Sequence, residues 1–343
     1  MTCRIAINGY GRIGQSVLRA LYESEYRDQL EIVAINELSD IETISYLTRF
    51  DTTHGRFPHP VSISSNNSEN EKKLTILNDD ISIYRKEAIA DLPWQAERVD
   101  LVMECTGVYG KRSDAEKHIF SGAPKVLFSQ PADVDVDKTI VYGVNHETLA
   151  ARDSIVSNAS CTTNAIIPVI KALHDAFNIQ QGTLTTIHSA MNDQPTIDAY
   201  HHQDLRRTRS AMQNMVPVNT ALAVGVERIL PEMSGRLSAV AMRVPTINVS
   251  AIDLTVCVNK STTVSQVNQV LKDASQEKFH GVLSYTEEPL ASSDFNHDIH
   301  SGIVDGSQTC VSGNKLIKVL TWFDNEWAFA NRMLDVAKHW SSL

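Results

Sequence analysis

Paired cysteines are missing from this chain of 343 residues. Its five cysteines, Cys3, Cys105, Cys161, Cys257 and Cys310, contain no C-x-x-C and are odd in number. That argues against a disulfide framework and against the common zinc-ligand spacings, and it suits a reducing cytoplasm. No metal site is expected. Long apolar runs are missing too. No stretch nears the roughly 18 residues a membrane helix needs, and the first residues read as a strand, not as a signal peptide. A basic excess is absent: 31 Lys and Arg stand against 41 Asp and Glu, a net charge of −10. Phosphate backbones need a basic surface, so nucleic acid is not expected as the main partner, nor is a membrane. There is no internal repeat. The one low-complexity stretch, residues 64–73 (SSNNSENEKK), reads as a solvated hairpin tip or loop. What remains is an ordinary globular composition, 42% hydrophobic and 21% charged, long enough for two domains that fold without a staple.

Short apolar runs alternate with helical patterns in the first half. Residues 4–8 (RIAIN), 31–36 (EIVAIN), 100–105 (DLVMEC), 126–129 and 139–142 read as strands. Residues 15–23 have helical periodicity, with Val17, Leu18 and Leu21 on one face. Alternation of this kind predicts a doubly wound parallel sheet of the Rossmann type. After about residue 180 the strands lengthen and alternate in polarity, at 183–188, 238–244 and 251–258. They predict an α+β domain with a mostly antiparallel sheet, one face solvated. Residues 325–340 return to helical periodicity. The expected division is therefore a nucleotide-binding domain at 1–160, a catalytic domain at 161–324, and a helix at 325–343 packing back on the first.

Gly9-Tyr10-Gly11-Arg12-Ile13-Gly14 fits G-x-G-x-x-G between a strand and a helix. The glycines allow a tight turn and close approach of backbone to a pyrophosphate, whose charge the helix N-terminus favours. Glu37 ends the next strand, 23 residues after Gly14, where a carboxylate would hold ribose hydroxyls and repel a 2′-phosphate. NAD is the cofactor this implies. A ligand-free glycine turn is the alternative, disfavoured by this context. Thr106 and Gly107, closing the strand at 100–105, are counted with the cofactor site.

Cys161 lies in SNASCTTN, before an apolar helix-like run at 165–173. A helix start stabilises a thiolate, and its free N–H groups suit a developing oxyanion. A buried, inert cysteine has the same composition. His188, in TTIHSAMND, ends a strand and could act as a base for a thiol, but twelve histidines mean that spacing alone does not select it.

Taken in order, NGYGRIG, SNASCTTN, TTIHSAMND, RVPTINVS and WFDNEW resemble the glyceraldehyde-3-phosphate dehydrogenase family over essentially the whole chain. Finer strings (NEL, CTGVYG, HSAMNDQ, AYHHQDLRRTR, NEW) resemble its erythrose-4-phosphate dehydrogenase branch. The resemblance implies that Cys161 is a nucleophile and His188 its base. Ser160 and Thr162 become substrate contacts, Arg207, Thr220 and Ala221 line anion sites, and Arg243 holds the substrate phosphate. Arg12 and Ile13 become backbone contacts to the pyrophosphate, and Asn325 orients the nicotinamide. It also implies a homotetramer, with residues from about 188 to 217 near a neighbour's cofactor. The implied reaction is NAD-dependent oxidation of a small phosphorylated aldehyde through a Cys161 thioester. Phosphate cleaves that thioester in the triose branch. Water cleaves it in the erythrose branch, giving 4-phosphoerythronate toward pyridoxal phosphate.

Departures from the triose pattern are Glu37 for Asp, Met191 for Thr, Pro195 for Lys, Ala221 for Gly and Ala165 for a second Cys. Losing Thr and Lys weakens one anion site while Arg243 remains. Arg85 stands near the family's adenine-side arginine without matching it firmly. A phosphorylating triose dehydrogenase is the alternative reading. A scaffold that has lost catalysis is disfavoured by the presence of both Cys161 and His188. Trp94, Trp322 and Trp327 read as packing or interface residues. His201, His202, His297 and His300 read as loop residues, and the run 206–209 as a sugar-phosphate or subunit contact.

Overall fold

A computed structural model describes residues 2–65, 72–201 and 204–343 of the chain. These form two compact units. One runs up to Ser160 and takes in Phe329–Leu343; the other is Cys161–Ala328.

The first unit comprises, in chain order, β1 (Cys3–Asn8), α1 (Arg12–Tyr22), β2 (Leu30–Asn36), α2 (Ile41–Arg49), β3 (Val61–Ser65), β4 (Lys72–Ile76), β5 (Asp79–Tyr84), β6 (Leu101–Glu104), α3 (Arg112–Phe120), β7 (Lys125–Phe128), β8 (Lys138–Thr139) and β9 (Ile155–Ser157). The sheet order is β8-β9-β7-β6-β1-β2-β5-β4-β3. Neighbours from β8 to β5 are parallel; the β5-β4 and β4-β3 pairs are antiparallel. β6 (LVME) is buried throughout, as a central parallel strand must be when both faces are covered. Trp94, Val102 and Phe128 anchor one core cluster of this unit. Strands β3 and β4 pair up to Ser65 and Lys72. The hairpin tip expected between them, at 66–71, lies outside the described residues, as does His202.

The strand expected at 139–142 is shorter. It stops at Thr139, although Ile140 still donates to the Ser157 carbonyl. From there the Asn145 side chain replaces a partner strand, accepting from Val141 N at 2.8 Å and donating to Thr139 O at 2.9 Å. Ladder bonds and side-chain bonds compete for the same backbone groups, and here the side chain wins.

The second unit comprises α4 (Cys161–Phe177), β10 (Ile179–Ser189), β11 (Val216–Val218), α5 (Leu222–Ile229), β12 (Leu237–Val244), β13 (Ser250–Val258), α6 (Val264–Gln276), β14 (Leu283–Thr286), β15 (Gly302–Ser312) and β16 (Leu316–Phe323). Its sheet order is β11-β12-β10-β13-β16-β15-β14. Alternating burial along β13 and β16 gives the sheet one covered face. Helix α4 lies against that sheet and buries Ile166, Ile167, Val169, Ile170 and Leu173. A capping box of Thr263 and Gln266 starts α6.

Most neighbours in this sheet are antiparallel, as expected, but two pairs, β14 with β15 and β10 with β12, are parallel. Polarity alternation fixes which face a residue takes and is blind to strand direction. The long connection from 190 to 236 provides the crossover that a parallel pair requires. Its register sets His188 opposite Arg243.

Helix α7 (Trp327–Ser341) carries the chain back into the first unit from Phe329 onward. There Tyr26 donates to Asp335 at 2.6 Å, and Lys125 Nζ donates to the Trp340 carbonyl at 3.0 Å. Trp327 belongs to the second unit, where it stacks on His297 at 3.6 Å. Among the described residues no helix is long and apolar enough to cross a membrane.

Candidate active site

The first unit holds a pocket of about 300 Å³, lined by Gly9, Gly11, Glu37 and Thr106 together with Asn8 and Lys86, among others. The glycines have separate tasks. Gly9 has φ +90, and a Cβ there would lie 2.6 Å from Thr106 N. A Cβ on Gly14 would lie 2.3 Å from Gly9 O, so α1 sits directly against the turn. Gly11 has open space where its Cβ would be, and no side chain caps α1 at that position. The result is an uncapped helix N-terminus facing free volume, which suits a pyrophosphate. The residues present therefore fit a dinucleotide.

Arg12, Ile13 and Gly14 lie in α1, and Gly107 (φ +72) continues the turn after Thr106. The Arg12 side chain is committed to Asp51 at 2.5 Å. Burial would raise the Asp51 carboxyl, but the Arg12 hydrogen bond and the amides of His54 and Thr53 hold it at about 2. What Arg12 offers the pocket is its backbone. Glu37 accepts from Tyr10 N at 2.8 Å and Leu38 N at 2.7 Å, so the carboxylate braces the glycine turn as well as lining the pocket. Arg85 bonds Leu38 O through Nε and Nη2, beside the same wall.

Beneath this pocket runs a hydrogen-bond chain that the sequence did not signal. Glu104, buried at the end of β6, accepts from Asn8 Nδ2 at 2.6 Å and Thr106 N at 2.9 Å, and meets His118 Nε2 at 3.0 Å. The strand at 100–105 marked Glu104 only as part of an apolar run; a charged residue inside such a run was the available sign.

In the second unit α4 begins at Cys161. The chain enters it past Ala159, which holds a left-handed φ of +56, a conformation costly for a residue with a Cβ. Cys161 is partly exposed as a residue, and its sulfur lies 3.7 Å from His188 Nε2. His188 Nδ1 is 2.9 Å from Ser189 O. Nδ1 thus meets a carbonyl, which only accepts, and the Arg243 Nη1, which only donates, at 3.1 Å; the nearer carbonyl assigns the proton to Nδ1, and Nε2 turns a lone pair to the thiol. Arg243 Nη1 also donates to Ser189 O at 3.3 Å.

Burial pushes the Cys161 thiol up to about 11, against the opposing pull of the Arg243 charge and of the Thr162 and Cys161 N–H groups. The thiolate stabilisation expected at a helix start is present, but desolvation outweighs it. Burial, then the Arg243 charge, pushes His188 down to about 4, against its bond to Ser189. Across the middle of the pH scale the pair is thus neutral thiol and neutral imidazole. The proton moves from sulfur to Nε2 as the sulfur bonds a carbon.

Arg243 is half-buried, and among the described residues no carboxylate forms an ion pair with it. Burial lowers its pKa and the charge of Asp193 opposes this. Arg207 is close enough to Arg243 to be felt electrostatically, but it is paired with Asp193 at 2.9 Å and lies 3.7 Å from Asp204. Thr220 Oγ1 accepts from Leu222 N, and Ala221 precedes α5 with no side-chain cap. Ser160 and Thr162, both partly exposed, flank Cys161 in the chain. Asn325 Oδ1 accepts from the hydroxyls of Ser189 at 3.0 Å and Ser250 at 2.8 Å. That fixes the amide's orientation and leaves Nδ2 as the outward donor. Ser189, Ser250 and Asp193 were not singled out from the sequence. The first two are common residues whose role rests on a contact across 61 positions. Among the described residues no cluster suited to a metal ion occurs.

Residues 3–112 match the family model described as glyceraldehyde 3-phosphate dehydrogenase, NAD binding domain. Residues 160–325 match the model described as glyceraldehyde 3-phosphate dehydrogenase, C-terminal domain.

Proposed function

The chain belongs to the glyceraldehyde 3-phosphate dehydrogenase family, NAD-dependent oxidoreductases of phosphorylated aldehydes, and we propose that its own reaction is the oxidation of D-erythrose 4-phosphate to 4-phospho-D-erythronate. The observation that carries the chemistry is the Cys161–His188 pair at 3.7 Å, with the uncompensated Arg243 guanidinium beside it. Arg243 binds the substrate phosphate, since a partly desolvated guanidinium gains most from a dianion. The Cys161 sulfur bonds the aldehyde carbon while its proton passes to His188 Nε2 and from there to the aldehyde oxygen, which becomes a hydroxyl. His188 then takes the proton of that hydroxyl as hydride leaves the same carbon, and passes it to solvent. NAD, when bound, accepts that hydride. The thioester so formed is cleaved by water, whose proton His188 removes. The carbon–sulfur bond breaks, and the thiol regains a proton. Asn325, held by Ser189 and Ser250, presents an amide donor for the nicotinamide carboxamide.

Water, not inorganic phosphate, is proposed as the second nucleophile. Met191 and Pro195 offer no charged or hydroxyl donor, and the Arg207 charge is already shared with Asp193. The test is NADH production from erythrose 4-phosphate and from glyceraldehyde 3-phosphate, each with and without phosphate. Fast, phosphate-independent oxidation of the tetrose is expected. Preference for the triose with strict dependence on phosphate would replace this reading by the phosphorylating one.

We also propose a homotetramer. Ile197, Tyr200, Leu205, Met212 and Met215 stand 60–99% exposed within one segment, an apolar surface that a single copy leaves in water. Light scattering on the purified chain should give four copies. A monomer at micromolar concentration would refute the assembly without touching the chemistry.

A further inference from the structure

The hydrogen-bond chain under the dinucleotide pocket has a direction, and both of its ends fix it. At one end the Trp94 indole can only donate, and it donates to His118 Nδ1 at 2.9 Å. His118 Nε2 must then carry the proton and donate to Glu104 at 3.0 Å, so the imidazole is neutral. At the other end Lys86 N donates to Asn36 Oδ1 at 2.9 Å, which turns Asn36 Nδ2 toward Asn8 Oδ1 at 2.8 Å. That in turn makes Asn8 Nδ2 the donor to Glu104 at 2.6 Å. Thr106 gives Glu104 its N–H at 2.9 Å and its hydroxyl at 2.5 Å, while that hydroxyl accepts from Val108 N at 3.2 Å.

Three partners of Glu104, the Asn8 amide, the Thr106 N–H and the His118 Nε2–H, are therefore obligate donors, and the Thr106 hydroxyl completes the set. Obligate donors on both carboxyl oxygens favour the charged form, so Glu104 is assigned as a carboxylate. It is 1% exposed. Among the described residues no Lys or Arg forms an ion pair with it, and neutral His118 does not cancel its charge. A full negative charge is thus fixed in a poorly screened site by dipoles alone. It lies directly behind Asn8 and Thr106, two residues of the pocket wall. Its field reaches the pocket: the thiol of Cys105, another lining residue, is raised by burial and next by the Glu104 charge.

We propose that Glu104 is a positioning residue of the dinucleotide pocket whose fixed charge favours the oxidised cofactor, with its cationic ring, over the reduced one. The inference rests on a dinucleotide occupying this pocket. Oxidised and reduced forms share the same pyrophosphate, riboses and adenine, so the hydrogen bonds that Glu104 organises serve both. The ring differs in its charge and in the hydrogen at its reacting carbon, and a fixed charge of the protein reads the first of these. The consequence is release of product cofactor made easier than release of substrate cofactor.

The experiment is equilibrium titration of the full chain with both forms, NADH by its own fluorescence and NAD+ by competition against it. Glu104→Gln keeps the shape and removes the charge. It should weaken NAD+ about tenfold more than NADH, the size of effect expected of one unit charge acting through protein at moderate distance. Glu104→Asp and His118→Gln keep the charge and disturb the support. Both should lose affinity for the two forms in equal proportion, so the affinity ratio stays at the parental value. If Glu104→Gln melts before it can be titrated at room temperature, the same titration of the parent and of this variant in the cold decides. A parental ratio in Glu104→Gln, or a lost ratio in the charge-keeping variants, overturns the inference and leaves the cofactor assignment standing. Failure of the parent chain to bind either form overturns both.

Discussion

His118 and His188 are both buried, one in each unit, and they do opposite things with their nitrogens. His118 has both committed: Nδ1 accepts from an indole and Nε2 donates to a carboxylate. His188 has one nitrogen tied to a backbone carbonyl and the other facing a thiol that can leave its proton. Burial makes each ring consequential, because an unpaired polar atom there is expensive. What separates a structural histidine from a reactive one is whether its second nitrogen meets a group that can change state.

That contrast can be broken by exchanging the losses. His188→Asn should lower kcat/KM by about 10² to 10⁴ while the melting temperature barely moves, since the amide can keep the bond to Ser189. His118→Ala should do the reverse. Leaving Glu104 and Trp94 without their partner should cost about 3 kcal/mol of stability, read by denaturant unfolding, with kcat falling far less. Two variants losing the same property would erase the distinction.

Arg243→Met tests the neighbour of the reactive ring. Loss of the guanidinium should raise KM roughly 100-fold through the phosphate contact. It should also move the alkylation profile of Cys161, whose midpoint near 11 already includes a lowering by that charge, further to alkaline pH. A midpoint that moves down would mean the arginine does not act on the thiol.

The smallest effect sharpens the comparison on the acid side. His188 titrates near 4 in the folded chain, below the ordinary 6.5. The unfolded chain therefore takes up the proton first as pH falls. The contribution is fully present above about 6.5 and is lost as pH drops toward 4, up to roughly 3 kcal/mol for a shift of that size. Melting curves from pH 7 to 4 should fall more steeply for the parent than for His188→Asn. Parallel curves would show that the ring is not buried neutral.

Much of this arrangement was legible in short strings. The glycine turn, its helix and Glu37 sit within one stretch, and turn chemistry is local. Cys161 and His188 were flagged by local context and by resemblance, and they stand 27 positions apart. What local reading could not reach was pairing. The parallel register of β10 and β12 joins positions 55 apart, and alternation carries no record of strand direction. Glu104 draws partners from 96 positions upstream to 14 downstream, so it looked like one residue in an apolar strand. The balance at the thiol escapes local reading for a related reason: a helix start is visible in sequence, and desolvation is a property of what packs around it.

One consequence of the β10–β12 ladder concerns folding as much as chemistry. His188 and Arg243 face each other because two strands are zipped in one register, and a slip by one residue would leave the two side chains on opposite sides of the sheet. Base and anion holder are therefore gained or lost together. Turnover by a refolded sample counts the molecules whose ladder closed correctly, whereas helix content and compactness would also count those that closed one step out.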